Sequence, residues 1–94
     1  MFRIVFKALA IQRLKRMRRF DVVTIVDSIE RHLSVEPERT TRGSIKRLRG
    51  RQETTYRLRV RDYRVFYDVI DDRVEIVQIL HKSETPFFYR KEEP

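Results

Sequence analysis

Tyr56-Arg57-Leu58-Arg59-Val60-Arg61-Asp62-Tyr63-Arg64-Val65-Phe66-Tyr67-Asp68-Val69-Ile70 is the stretch on which the fold turns. Tyr56, Leu58 and Val60 alternate with Arg57, Arg59 and Arg61, the period of a strand with one apolar face and one arginine face. Asp62 and its neighbours turn the chain. Tyr63 to Ile70 then carries apolar residues on both sides, which predicts a central strand covered on both faces. If Tyr56, Leu58, Val60, Val65, Tyr67 and Val69 share the covered face, Arg57, Arg59 and Arg64 converge on the other. Asp71-Asp72 forms the next turn, because Asp tolerates left-handed backbone. Val74 to Leu80 is the partner strand, and the short connections predict an antiparallel meander.

Upstream, Ile45 to Arg49 reads as a weaker strand ended by Gly50. Phe2, Ile4 and Phe6 alternate with more polar neighbours and predict a first strand. Leu9, Ile11, Leu14 and Met17, set among Arg13, Lys15, Arg16, Arg18 and Arg19, predict a short basic helix. Asp21 is the expected N-cap of a second helix, in which Val22, Ile25, Val26, Ile29 and Leu33 form an apolar stripe. Pro37 cannot continue it. The order β-α-α-β-β-β predicts an α+β fold: an N-terminal helical hairpin packed on a mainly antiparallel four-stranded sheet. At 94 residues the chain is expected to be one domain, 1–94, with a charged tail from about residue 90.

Charge is distributed unevenly. Residues 1–20 hold seven Lys or Arg and no acid, and residues 39–64 hold ten against Glu53 and Asp62, while the remaining segments are net acidic. Two basic blocks of this kind suit a polyanionic partner, with solubility or an acidic protein as the alternatives. The longest apolar run is Ala8-Leu9-Ala10-Ile11, so no membrane span is expected, and no signal peptide is read at the start. With no cysteine there is no disulfide, no thiolate zinc site and no thiol nucleophile. These features fit a cytoplasmic protein.

The arginine face is the sharpest candidate site. Guanidinium forks match phosphate oxygens, and like charges packed together favour an arriving anion. The competing reading is a solvated face, or arginines paired with Asp68 and Glu75. Gly43 and Gly50 are the only glycines, so no Gly-rich phosphate loop exists, and no metal site is supported. His32 lies on the second helix and suits its C-terminal dipole. His81 and Lys82 end the last strand and could serve as acid or phosphate ligand, or could be ordinary surface groups. Tyr89, after Phe87 and Phe88, could stack on a base or could only accompany a packing anchor.

Ile45-Lys46-Arg47-Leu48-Arg49-Gly50, the stretch Tyr56 to Val69, and His81-Lys82-Ser83-Glu84 together resemble the RelE/ParE toxin superfamily of type II toxin–antitoxin systems, with the arginine strand closer to the RelE branch. The resemblance covers nearly the whole chain. It implies a toxin that enters the ribosomal A site and cuts mRNA without a metal or other cofactor, the ribose 2′-hydroxyl attacking the adjacent phosphate. By position, Arg57, Arg59 and Arg64 match the family's phosphate-binding arginines and stabilise the charge of the transition state. Lys82 matches the residue that protonates the leaving 5′-oxygen, and Tyr89 the tyrosine that activates the 2′-hydroxyl.

Around them, Arg13, Lys15, Arg16, Lys46, Arg47, Arg49 and Arg61 are candidate RNA or ribosome contacts. The resemblance also implies a cognate antitoxin, ribosome and mRNA as partners, no membrane, and operator DNA for the toxin–antitoxin complex. This chain departs from the pattern in three places. Arg61 stands where the turn commonly has glycine, and Lys82 where arginine is frequent. Tyr89 lies one residue further along, which leaves Phe88 as the other occupant of that place, with His81 as base in that case. The alternatives are a ParE-like gyrase inhibitor without nuclease activity, and a catalytically inactive antitoxin-binding module.

Overall fold

The structure, a computed structural model, describes residues 1–41, 43–48 and 54–86. Strand β1 (Arg3–Phe6) leads into helices α1 (Ala8–Lys15) and α2 (Arg19–Leu33). Strands β2 (Ile45–Arg47), β3 (Tyr56–Val60), β4 (Tyr63–Ile70) and β5 (Arg73–His81) follow, and a 3-10 turn, Lys82–Glu84, closes the series. The expected tail from about residue 90 lies outside the described residues.

The sheet runs β1-β5-β4-β3-β2, so β4 is central, as its two-sided apolar pattern requires. It has five strands rather than the four expected, and it is mixed. β1 pairs parallel with β5, and the other neighbours are antiparallel. The strand beyond that count is β2, the weak strand read at Ile45 to Arg49, here three residues held to β3 from Ile45 opposite Leu58 to Arg47 opposite Tyr56. So short a segment shows almost no alternation, and it is a strand because β3 offers it hydrogen bonds.

The helices cover one face. Ile25, Ile29 and Leu33, spaced four apart on α2, are buried with Ala10 of α1 against Tyr56, Leu58, Val60, Val65, Tyr67, Val74, Ile76 and Ile79. α1 lies over β5 and α2 over β3. Between Phe66 and Tyr67 the β4–β5 register shifts, their partners being Gln78 and Ile76, so Val77 is extra. That bulge lets both Ile76 and Ile79 reach the core despite their odd spacing. Tyr67 stacks on Tyr56 at 5.4 Å between centroids and donates its hydroxyl to the Pro37 carbonyl at 2.7 Å. Burial, with smaller contributions from Tyr56 and Glu38, pushes the Tyr67 hydroxyl far above its ordinary pKa.

α2 begins at Arg19, with Arg18 as an N-cap that makes no side-chain bond. Asp21 therefore sits inside the first turn instead of capping it. Its carboxylate still meets the positive end of the helix and lies 3.8 Å from the Arg18 guanidinium. The two hairpin turns, Arg61-Asp62 and Asp71-Asp72, each put their first residue in left-handed backbone, at φ +53° for Arg61 and +54° for Asp71. Aspartate accepts that conformation readily, whereas arginine does not.

Candidate functional site

Alternation along β3 buries Tyr56, Leu58 and Val60 and turns Arg57 and Arg59 to the face away from the helices. Register then decides what joins them. Arg59 stands directly opposite Arg64, and Arg57 stands between Lys46 of β2 and Phe66 of β4. Directly opposed side chains in an antiparallel pair start about 5 Å apart, and like charges there repel. The sheet thus gathers Lys46, Arg57, Arg59 and Arg64 from three strands onto one face, as the alternation predicted for the three arginines.

The acids of that face are engaged elsewhere. Asp68 accepts the Thr55 amide at 2.7 Å. Glu75 bonds Arg73 at 2.9 Å and lies 4.0 Å from Lys7. The Arg73 hydrogen bond is the chief reason its carboxyl titrates below the ordinary value. Among the described residues, neither Arg57 nor Arg59 forms an ion pair, so pairing with Asp68 and Glu75 does not account for them. The Arg57 Nε is buried without a hydrogen-bond partner. A buried donor left in that state is costly, and an anion would satisfy it. An open cleft of about 440 Å³ runs beside it, lined by Thr40, Thr41, Gly43, Lys46 and Arg57 among others. The Arg64 guanidinium donates to the carbonyls of Arg61 at 3.0 Å and Tyr63 at 2.9 Å, which fixes its stem at the turn end of the face.

At that same end β5 stops. His81 pairs with Tyr63, and its ring meets the Tyr63 ring edge-on at 5.5 Å. His81 Nδ1 accepts the Ser83 amide at 3.2 Å, and the His81 amide donates to Glu84 at 2.8 Å, a reciprocal capping box for the 3-10 turn. The ring nitrogen nearest the chain is therefore in structural use. Lys82 lies on this turn; its amide donates to the Asp62 carbonyl at 2.6 Å and its ammonium lies 3.4 Å from the Asp62 carboxylate. Lys82 is thus tied to the turn that follows β3, two residues beyond Leu80, the register partner of Arg64.

The remaining basic candidates are scattered. Arg47 stands opposite Tyr56, and its guanidinium lies 5.9 Å from that ring centroid, on the helix side of the sheet. Arg61 occupies the turn and sits 5.4 Å over the ring of Phe20, which is 62% exposed. Lys15 and Arg16 are exposed at the end of α1. Arg13, on the same helix, is half-buried and binds both oxygens of Glu84. Arg49 and Tyr89, with Phe87 and Phe88, lie outside the described residues. Among the described residues, no three His, Asp or Glu side chains gather as metal ligands, and no helix is long and apolar enough to cross a membrane. Sequence reasoning missed Asp62 and Glu84. The spacing of Glu84 three residues after His81 was the available signal, obscured because histidine is an unusual cap.

Comparison with known proteins identifies the scaffold. Residues 4–86 match the family described as the ParE toxin of type II toxin–antitoxin systems. No curated protein sequence matches the chain. The RelBE2 toxin–antitoxin complex of Mycobacterium tuberculosis contains a chain with a TM-score of 0.68 at 23% identity, covering 85% of this chain and 96% of that one. The RelB–RelE antitoxin–toxin complex of Methanococcus jannaschii gives 0.63 at 19%, covering 90% and 98%. The YoeB–YefM toxin–antitoxin complex of Staphylococcus aureus gives 0.57 at 22%, covering 83% and 93%. At such identities the structures share a fold, and the family match over residues 4–86 supplies the membership. The two helices, the mixed sheet and its arginine face therefore belong to a toxin of the RelE/ParE superfamily of type II toxin–antitoxin systems.

Proposed function

We propose that this toxin is a ribosome-dependent mRNA endoribonuclease. The observation that carries the reading is the opposed pair Arg59 and Arg64, with the buried, unpartnered Arg57 Nε beside it on the same face. A cleavage in which the ribose 2′-oxygen attacks the adjacent phosphorus builds negative charge on the non-bridging oxygens, and preorganised cations there are a large catalytic term. The bond to the 5′-oxygen breaks as the new one forms, leaving a 2′,3′-cyclic phosphate and a 5′-hydroxyl. In this scheme Tyr89 takes the 2′-hydroxyl proton; His81, the other candidate base, packs its ring on Tyr63 on the helix side of the sheet, away from the arginine face. The Lys82 ammonium gives a proton to the leaving oxygen, after release from Asp62. Lys46 and Arg61 hold neighbouring phosphates, and Lys15 and Arg16 face ribosomal RNA.

In the neighbouring structures the toxin is bound by an antitoxin. For this chain we infer a cognate antitoxin that covers the basic surface, a cytoplasmic location beside the ribosome, and operator DNA as a partner of the complex. The match to the ParE toxin description favours a second reading, a gyrase inhibitor that cuts no RNA. Mapping the 5′ ends of cellular transcripts after brief induction separates the two. New ends inside translated codons are expected; intact messages with stalled DNA replication would establish the second reading instead.

A further inference from the structure

The 3-10 turn that carries Lys82 runs on into helical backbone at Thr85 and Pro86, and its place against the sheet is set by ties to neighbouring elements. Its local ties are the capping box between His81 and Glu84 and the bonds that the Thr85 amide and hydroxyl donate to the Lys82 carbonyl. Its external ties are to the 61–62 turn, through Asp62, and to α1, through Arg13. The Glu84 carboxylate serves both systems at once. It accepts the His81 amide, and it holds the two terminal nitrogens of the Arg13 guanidinium, a residue 71 positions earlier in the chain. Two parallel N–H donors on one carboxylate fix orientation as well as distance. Of the Arg13 side chain only 20% is exposed, which leaves its fork poorly placed to reach a polyanion.

We propose that Arg13 and Glu84 form a positioning pair that holds Lys82 at the end of the arginine face, so that Arg13 serves the cleavage step and not the docking of RNA or ribosome. The proposal rests on the ribonuclease reading. Lysine has a long, flexible stem, and the reach of its ammonium is set by the backbone beneath it. Loss of the clip frees Glu84, weakens the cap, and lets that backbone wander on the scale of an ångström, which can cost about 100-fold in a positioned reaction.

The test uses the full chain in a cell-free translation system with a defined message, the cutting rate being followed over a range of toxin concentrations. Arg13→Gln and Glu84→Gln should each lower the saturating rate by about 10- to 100-fold while the half-saturating concentration stays unchanged. Amide exchange over residues 81–86 should quicken in both. The exchanged pair, Arg13→Glu with Glu84→Arg, should restore much of both rate and protection. If Arg13→Gln does not fold, Arg13→Lys takes its place, keeping charge without the planar fork. An undiminished saturating rate in both single variants would overturn the proposal, as would an effect confined to half-saturation, the mark of a docking cation. Restored protection without restored rate would overturn it too. If the wild-type chain makes no cuts, the ribonuclease reading falls and the proposal with it; cutting by the wild type with an indifferent Arg13→Gln removes the proposal alone.

Discussion

On one side of β3, Tyr56, Leu58 and Val60 are buried beneath α2 among Ile25, Ile29 and Leu33; on the other, the intervening Arg57 and Arg59 meet Arg64 and Lys46. Five consecutive residues thus serve two opposed requirements. The helix side stabilises the fold by removing apolar surface from water. The arginine side concentrates like charge, with the nearby Asp68 and Glu75 occupied by Thr55 and Arg73. A surface arranged for stability alone would have interleaved carboxylates with these cations. The contrast teaches that substitutions on the two sides should separate stability from activity.

The sharpest break of that comparison is Arg64→Ala. Cleavage of translated messages should fall by about 100- to 1,000-fold, while denaturant unfolding moves little, the relieved repulsion with Arg59 being set against the lost bonds to the Arg61 and Tyr63 carbonyls. A loss of stability equal to the loss of activity would place Arg64 with the structural residues. The converse substitution is Leu58→Ala, on the helix side. It should destabilise by about 2–5 kcal/mol in urea unfolding, and the surviving folded fraction should keep its cutting rate.

These two substitutions also show what was legible in the sequence. The Tyr56–Val60 alternation disclosed both faces because a strand's period needs only a few residues to declare itself. It also placed Arg64 correctly, since a two-residue turn leaves little freedom of register. Three things were legible only in part or not at all. The strand at Ile45–Arg47 shows in the sequence only as a weak one, over Ile45 to Arg49, and falls outside the expected strand count because it depends on the edge of β3 more than on its own pattern. The start of α2 at Arg19 rather than after Asp21 reflects the packing of Ile25 and Ile29, which overrides a good capping residue. The clip between Arg13 and Glu84 spans 71 positions, and charge arithmetic along the chain counted Arg13 as free surface charge. Tyr89 and the rest of the C-terminal aromatic segment remain expectations from the sequence.

Smaller effects sharpen the same contrast. Tyr67→Phe leaves the buried Pro37 carbonyl without its donor and should cost about 1–3 kcal/mol in urea unfolding, with no change in cutting rate. Glu84 gives a test by pH. Its carboxyl titrates below the ordinary 4.5, chiefly through the Arg13 hydrogen bond, so the native state favours the ionised form. That stabilisation is present above the unfolded-state value and is lost as pH falls through the lower native one. The stability gap between wild type and Glu84→Gln should therefore be full at pH 7 and shrink on acidification below about pH 4.5, measured by unfolding at each pH. Smallest is Arg61→Gly. Glycine accepts φ +53° without strain, and the loss of the contact with Phe20 offsets part of the gain. A rise of less than about 1 kcal/mol is expected in thermal melts.

The parallel pairing of β1 with β5 has a bearing on how the protein comes into being. Residues 3–6 can take their place only beside residues 73–76, 70 positions further along the chain. On a ribosome making this protein, the first strand waits without its hydrogen-bonding neighbour until the last strand has been translated. Contacts of such long range are formed late and slowly. A chain interrupted before residue 73 would lack the strand that joins β1 to β4, and with it the segment that carries Lys82. The sheet therefore closes only after β5 has been made, however early the two helices form.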